Sequence, residues 1–220
     1  MKVQALKEVR YDPSVFLNVE TVDDAVQIIL TPEEGMSSAH RWKTEAPYLM
    51  SILEKHCPNL AKNYVLDYGC GIGRMSKPLI EAHGCHVVGV DISPNMRALA
   101  SSCVENNHFF ALAPEMLWHL TPTMFDLALA VWTLQHCLEL DKEIERIFQS
   151  LRTGGTLFIV NNVTRALPTN DGRWIDDGLD VRVALHKAGF ALMAEGRLEG
   201  EEIAPGWMAK NTFWATYQKQ

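Results

Sequence analysis

The chain has 220 residues, 47% of them hydrophobic, which is enough to bury a substantial core as one domain of ordinary size. Its formal net charge of -7 gives no overall positive field, so nucleic acid and anionic membrane surfaces are disfavoured as partners. Five cysteines without a C-x-x-C pair suit neither a disulfide framework nor a zinc site, and no apolar run approaches the length of a spanning helix. We therefore expect a cytoplasmic protein that is neither exported nor membrane-bound.

The N-terminal part of the chain shows the spacing of helices. Thr21 and Asp24 form the pattern of a capping box, and apolar residues follow them at helical spacing. A second helix is predicted from about Thr44, with Pro47 tolerated in its first turn, to a break at Cys57. We expect these helices to form a cap.

From residue 63 onward, short apolar runs alternate with amphipathic stretches. Strands are predicted at residues 64–68, 86–91, 108–111, 125–132 and 156–162. Because strands separated by helices form right-handed crossovers, the pattern predicts a doubly wound α/β domain with a mostly parallel sheet. The domain boundaries are accordingly predicted as 1–62 for the helical cap and 63–220 for the α/β domain.

The last part of the chain departs from this alternation. Two β-rich segments, at residues 190–198 and 211–217, are joined by a connection too short for a long helix. We predict an antiparallel hairpin at one edge of the sheet.

The segment of residues 65–73, V-L-D-Y-G-C-G-I-G, indicates a strand that runs into a glycine-rich turn. In open α/β sheets, ligands bind beyond the carboxyl ends of the strands, where glycines let them approach the backbone. A dinucleotide fingerprint would need glycine where Arg74 stands, and the Asp67 carboxylate would repel a pyrophosphate. S-adenosylmethionine has no phosphate, and a carboxylate favours its ammonium and sulfonium groups. The turn therefore favours this cofactor over NAD.

Asp91 ends the second predicted strand. An acid at this place can accept hydrogen bonds from both hydroxyls of a ribose. We predict that Asp91 binds the cofactor ribose.

With these motifs in place, residues 64–162 resemble the class I S-adenosylmethionine-dependent methyltransferases of the small-molecule type, known as methyltransferase type 11 or 12. The segments that carry the resemblance are Val65–Gly73, Val87–Pro94, Phe125–Leu127, Leu134–His136 and Leu151–Ile159. The resemblance implies a Rossmann-like sheet of seven strands with an antiparallel last strand. It also implies methyl transfer to a small organic acceptor.

The resemblance further implies which residues bind the cofactor. They are Asp67, Gly69, Cys70, Gly71, Gly73, Asp91, Ile92, Ala113, Trp132 and Leu134. The glycine turn would face the methionine part, Asp91 and Ile92 would hold ribose and adenine, and Trp132 and Leu134 would lie near the sulfonium. Many family members carry an acid after the third strand; here backbone groups near Ala113 are expected to take its place.

Methyl transfer from a sulfonium needs orientation more than acid catalysis, because the leaving group is a neutral thioether. His136 follows the fourth strand on the acceptor side and is the predicted catalytic base. The alternative is that His136 only packs against the turn at Cys137.

Further residues are predicted to contact the acceptor: Trp42, Asn161, Asn162, Arg165 and Trp174. The loop of residues 164–177 would hold the acceptor or fold over it. Alternatively it is an ordinary polar loop with Trp174 in the core, and Trp42 is a buried residue of the cap. The amide pair of Asn161 and Asn162 makes a poor magnesium site, so no metal is expected.

Three other functions stay open at this point. The acceptor could be a protein or an RNA, although the acidic composition disfavours RNA. The chain could also be a non-catalytic S-adenosylmethionine-binding module, or an NAD-dependent oxidoreductase, which Asp67 and Arg74 argue against. Nothing in the sequence indicates an oligomeric state.

Overall fold

The computed structural model describes residues 9–57, 59–120 and 122–220. Its strands are β1 (Tyr64–Tyr68), β2 (His86–Val90), β3 (Phe109–Leu112), β4 (Phe125–Val131), β5 (Leu151–Asn162), β6 (Leu167–Pro168), β7 (Trp174–Ile175), β8 (Phe190–Gly196) and β9 (Thr212–Lys219). Its α-helices are α1 (Ser14–Leu17), α2 (Val22–Ile29), α3 (Ser38–His56), α4 (Ser76–His83), α5 (Pro94–Val104), α6 (Leu140–Ser150), α7 (Val181–Lys187) and α8 (Gly206–Asn211). Two short 3-10 helices cover Pro114–His119 and Leu134–His136. None of the helices in these ranges is long and apolar enough to cross a membrane.

Seven strands form one sheet in the order β3-β2-β1-β4-β5-β9-β8. The pairs among β1 to β5 are parallel, whereas β9 is antiparallel to both β5 and β8. The predicted doubly wound sheet with an antiparallel last strand is confirmed, and so is the hairpin, with β8 at the sheet edge. Strand β5 begins at Leu151, well before the predicted start at residue 156, and follows α6 without a loop.

The two faces of the sheet bury separate apolar clusters because successive strand residues point to opposite sides. Val65 joins one cluster, which α3 and α4 cover, and Leu66 joins the other, which α6 and α7 cover. Both side chains are fully buried. Burial of a side chain of this size stabilises the fold by about 1.5–3 kcal/mol, so the two helical layers hold the sheet from both sides.

Helix α3 is longer than predicted. It begins after Ser37, whose hydroxyl accepts a hydrogen bond from the backbone three residues later, so the predicted start near Thr44 is wrong. Pro47 therefore lies inside the helix rather than in its first turn, where it removes one backbone donor. Leu49 and Leu53 of α3 are fully buried in the core cluster beside β1. The helix thus packs as part of the main core, and the boundary at residue 62 stays a prediction.

The segments before α3 lie over the carboxyl edge of the sheet. The predicted capping box of α2 is confirmed, since Thr21 and Asp24 exchange hydrogen bonds of 3.1 and 2.9 Å. Ahead of α1, Tyr11 pairs in a β-bridge with Thr169, and the Asp12 N–H donates to the carbonyl of Pro168 at 3.0 Å. These bonds tie the N-terminal segment to the loop after β5.

Candidate active site

A cavity of about 830 Å³ lies beyond the carboxyl ends of β1, β2, β4 and β5. The N-terminal segment, α2 and α3 contribute its other walls. Among the predicted site residues, those that line it are Gly69, Gly71, Asp91, Ile92, Trp132, His136, Asn162 and Trp174. The others lie behind its wall or away from it: Asp67, Cys70, Gly73, Ala113, Leu134, Trp42, Asn161 and Arg165. The volume falls in the range of small-molecule sites.

The glycine turn needs glycine at the positions that face the cavity. Gly69 and Gly71 have φ values of 79° and 53°, a region that other residues rarely adopt. A Cβ atom on Gly69 would lie 2.2 Å from the hydroxyl of Thr133, and one on Gly71 would lie 2.5 Å from the side chain of Ile29. Both positions therefore need glycine to pack against these side chains, and both line the cavity.

Asp91 connects this turn to the end of β2. Its carboxylate accepts hydrogen bonds of 2.9 Å from the backbone N–H groups of Gly71 and Ser93. Burial raises the pKa of Asp91, and the two donors oppose that rise because they favour the charged form. A carboxylate has about four acceptor sites, so two backbone bonds leave capacity for ligand hydroxyls.

Asp67 has a different environment from the one expected for it. Its carboxylate is buried and accepts a hydrogen bond of 2.6 Å from the hydroxyl of Ser76, at the start of α4. Burial raises the pKa of Asp67 to about 6. The side chain thus anchors the turn to α4 from behind, and its contact with a cofactor stays a prediction.

Glu45 of α3 is a buried junction that the sequence did not reveal. Its carboxylate accepts hydrogen bonds from Arg41 at 2.8 Å, Arg74 at 3.0 Å and the indole N–H of Trp132 at 2.6 Å. Trp132 has a φ of 59°, an uncommon conformation for a bulky residue, at the end of β4. Glu45 therefore joins α3, the glycine turn and β4 at one point of the cavity wall.

His136 lies in the cavity wall with both ring nitrogens engaged. Nδ1 is 2.6 Å from the carbonyl oxygen of Ala166, which can only accept, so Nδ1 carries the hydrogen. Nε2 is 3.1 Å from the amide nitrogen of Gln135 and accepts from it. Burial lowers the pKa of His136 to about 4, so the ring is neutral at pH 7. Its orientation is fixed by these two bonds.

Gln135 is held in turn by the end of β5. Its backbone N–H donates to the side-chain oxygen of Asn161 at 3.2 Å, and its side-chain oxygen accepts from the Asn162 N–H at 2.5 Å. Asn161 is fully buried behind the wall, whereas Asn162 lines the cavity. Asn161 thus holds the Gln135 backbone, and the Asn162 N–H orients the Gln135 side chain, which orients His136.

The remaining predicted acceptor residues separate in space. The Arg165 side chain is buried, donates to the carbonyl of Cys137 and pairs with Asp177 at 3.3 Å, so it fastens the loop after β5. Trp42 packs in an apolar cluster of the N-terminal helices. Trp174 stands at the cavity rim and is 47% exposed, so it is not packed into the core.

Three polar side chains that line the cavity, those of Tyr68, Glu143 and Arg146, were also not predicted from the sequence. The Tyr68 hydroxyl donates to Glu143, and the same carboxylate accepts bonds of 2.7 and 2.6 Å from Arg146. Burial raises the pKa of Tyr68, so it stays a hydrogen-bond donor. No group of three or more His, Cys, Asp or Glu residues stands ready for a metal ion in the part of the chain that the structure describes.

Known proteins are similar to this chain in sequence and in fold. The sequence profile of a family described as "Methyltransferase domain" matches residues 66–159, the segment that carries the glycine turn and Asp91. This segment therefore resembles a methyltransferase domain. The matched segment runs from β1 to β5 of the sheet, and the N-terminal helices and the last hairpin lie outside the match.

The names of proteins with similar sequences indicate different substrates. Phosphoethanolamine N-methyltransferase 2 of Caenorhabditis elegans is 27% identical over 99 residues, which cover 43% of this chain and 23% of that protein. Malonyl-acyl-carrier protein O-methyltransferase of Enterobacter lignolyticus is 30% identical over 110 residues, which cover 50% of this chain and 43% of that protein. The chain thus spans less than half the length of these relatives.

A solved structure shows the same fold. The 1,6-didemethyltoxoflavin-N1-methyltransferase of Burkholderia thailandensis, with 1,6-didemethyltoxoflavin and S-adenosylhomocysteine bound, matches with a TM-score of 0.62 and 21% identity. The match covers 81% of this chain and 80% of that one. This structural match extends beyond residues 66–159, to which the match of the family profile is confined.

Proposed function

We propose that this chain transfers a methyl group from S-adenosylmethionine to a small organic acceptor. The observation that carries the proposal is that the glycine turn and Asp91 line the same cavity. A hydrogen bond from the Gly71 N–H to the Asp91 carboxylate joins them. The match of residues 66–159 to the methyltransferase family supports the proposal.

The residues of the cavity fit the cofactor. Gly69 and Gly71 line the cavity in a backbone conformation that other residues rarely adopt, Asp91 has acceptor capacity for a ribose diol, and Ile92 offers an apolar surface beside it. Arg41 also lines the cavity, and its buried Nε has no hydrogen-bond partner among the described residues. When bound, S-adenosylmethionine supplies a methyl group on a sulfonium, which is electrophilic without acid assistance.

The chain itself would contribute mainly orientation. Glu45 fixes Trp132 and Arg41, and Gln135 fixes the neutral ring of His136. With a pKa of about 4, His136 is a weak base at neutral pH. We therefore propose that catalysis rests on holding the acceptor in line, with the fixed ring of His136 as part of the cavity wall and its role as a base kept as a prediction.

The proposal also covers the kind of acceptor, the cellular location and the role of the N-terminal region. We propose a small molecule because the relatives' names point that way and the cavity is small-molecule sized. We propose that nucleic acid is not a partner because the net charge is negative, and that the protein is cytoplasmic because its five cysteines suit neither disulfides nor a zinc site. Residues 1–62 would act as a cap on the domain of residues 63–220, as the cavity-lining positions of Phe16 and Arg41 suggest.

Calorimetric titration with S-adenosylmethionine, S-adenosylhomocysteine and NADH tests the proposal. Saturable one-to-one binding of the first two and none of NADH is expected. If NADH binds and the other two do not at millimolar concentration, the chain is not a methyltransferase of this kind.

A further inference from the structure

We propose that the acceptor is a planar aromatic molecule that carries neither a phosphate nor a carboxylate. The inference rests on the proposed function, because it names the substrate class of the same cavity. Two independent observations carry it: an aromatic cluster at the cavity rim and the charge balance of the cavity wall.

The aromatic cluster consists of Phe16, His136 and Trp174. The ring centroids of Phe16 and His136 are 5.2 Å apart, those of His136 and Trp174 are 5.1 Å apart, and those of Phe16 and Trp174 are 5.9 Å apart. All three rings line the cavity, and the half-exposed Trp174 keeps part of its surface open to it. A planar ligand can stack or pack edge-on against such rings, which contributes binding energy beyond the burial of area.

The cations of the cavity wall are already paired. Among the described lining residues, the fully charged cations are Arg41 and Arg146. Arg41 pairs with Glu45 and donates to the carbonyl of Thr31, each at 2.8 Å, and Arg146 donates to both oxygens of Glu143. His136 adds no charge at neutral pH because burial lowers its pKa.

The acids of the wall outnumber these cations. They are Glu33, Asp91, Glu115, Glu139 and Glu143, of which Glu139 pairs with Lys142 at 2.8 Å and Glu143 with Arg146. A phosphate or carboxylate on the acceptor would enter a wall with excess negative charge and no unpaired cation among the described residues. The cavity therefore selects against anionic acceptors and leaves flat, uncharged ones to the aromatic rim.

The experiment compares 2-naphthol with 2-naphthyl phosphate as probes of the same ring system. Each is titrated calorimetrically into the full chain saturated with S-adenosylhomocysteine. We expect 2-naphthol to bind at least about tenfold more tightly than the phosphate. Saturation with S-adenosylhomocysteine is measured first, so a chain that fails to bind it refutes the proposed function and not the acceptor class.

Two variants and one control variant distinguish the effects of stacking and of charge from a general loss of stability. Trp174→Ala should weaken 2-naphthol binding about tenfold, whereas Trp118→Ala, at an exposed tryptophan outside the cavity, should leave it unchanged. Glu143→Gln should raise the affinity for 2-naphthyl phosphate about tenfold, because it leaves the charge of Arg146 uncompensated; a destabilised protein would not gain affinity. Equal or reversed preference for the phosphate, no binding of either probe at millimolar concentration, or equal effects of the two tryptophan variants would overturn the inference.

Discussion

We predict that cofactor binding depends most on Asp91. Its two carboxylate oxygens each accept one backbone N–H, and both still have capacity toward the cavity. An amide in place of the carboxylate keeps the shape of the side chain but offers only one acceptor oxygen.

Asp91→Asn should therefore weaken S-adenosylmethionine binding by about tenfold or more, since a hydrogen bond to a charged group contributes about 1.5–3 kcal/mol. Calorimetry on the variant measures this. The matched control is Asp141→Asn, because Asp141 is exposed on α6 and pairs only with exposed Lys187. Unchanged affinity in Asp91→Asn would remove the ribose assignment.

A second prediction at the residue scale concerns His136 and the pH dependence of the free energy of unfolding. Its pKa in the folded chain is about 4, below its ordinary value of 6.5, so the unfolded chain binds more protons between these pH values. Its contribution to stability is complete above pH 6.5 and is lost as the pH falls toward 4, with a maximum on the order of 3 kcal/mol.

Urea unfolding of the parent chain and of His136→Gln between pH 4 and 7 measures this contribution. The difference in unfolding free energy between the two proteins should narrow or reverse as the pH falls. His40→Gln, at an exposed position of α3, is the control and should show a constant difference. A constant difference in His136→Gln as well would show that the ring is not buried neutral.

At the scale of elements, α3 is attached to the site through Glu45. This carboxylate is the shared acceptor for Arg41, Arg74 and Trp132, and both arginine side chains are almost fully buried. Removing its charge leaves two guanidinium groups without a counter-charge inside the protein.

Glu45→Gln should lower the free energy of unfolding by about 3 kcal/mol and also weaken cofactor binding, because Arg41 and Trp132 lose their common anchor. Urea denaturation and calorimetry on the same preparation measure both effects. Glu54→Gln is the matched control, since Glu54 lies on the same helix and pairs at the surface with His83. Loss of stability without any change in affinity would mean that Glu45 supports the fold alone.

At the scale of the whole molecule, the cavity draws its walls from nearly every part of the chain. The N-terminal segment, α2, α3, the strand ends, α8 and the start of β9 all contribute. A ligand there should stabilise the folded state as a unit.

S-adenosylhomocysteine at about 100 times its dissociation constant should add about 2.7 kcal/mol, which corresponds to a rise of several degrees in Tm for a chain of this size. Differential scanning calorimetry with and without the ligand measures the rise. NADH at the same concentration serves as the control and should leave Tm unchanged. A shift with NADH alone would contradict the account.

The sequence predicted the parts of this molecule that depend on local patterns. Strand periodicity located β1 to β5, and the glycine turn and Asp91 were found because they stand at fixed places after buried strands. The start of α3 was missed because the cap at Ser37 lies several residues before the apolar pattern becomes clear.

What the sequence could not predict depends on contacts between distant residues. Glu45 is far in sequence from Arg74 and Trp132, and no local pattern joins them. The pairing of Glu143 with Tyr68 and Arg146 is of the same kind, and so is the burial of Arg165, which looked like an acceptor-binding residue but fastens a loop.

The most direct test of the cofactor site is a crystal structure of the chain with S-adenosylhomocysteine. The account predicts ribose hydroxyls within hydrogen-bonding distance of the Asp91 carboxylate and the methionine part along the backbone of Gly69 and Gly71. Ligand density elsewhere, or a ribose without contact to Asp91, would contradict it.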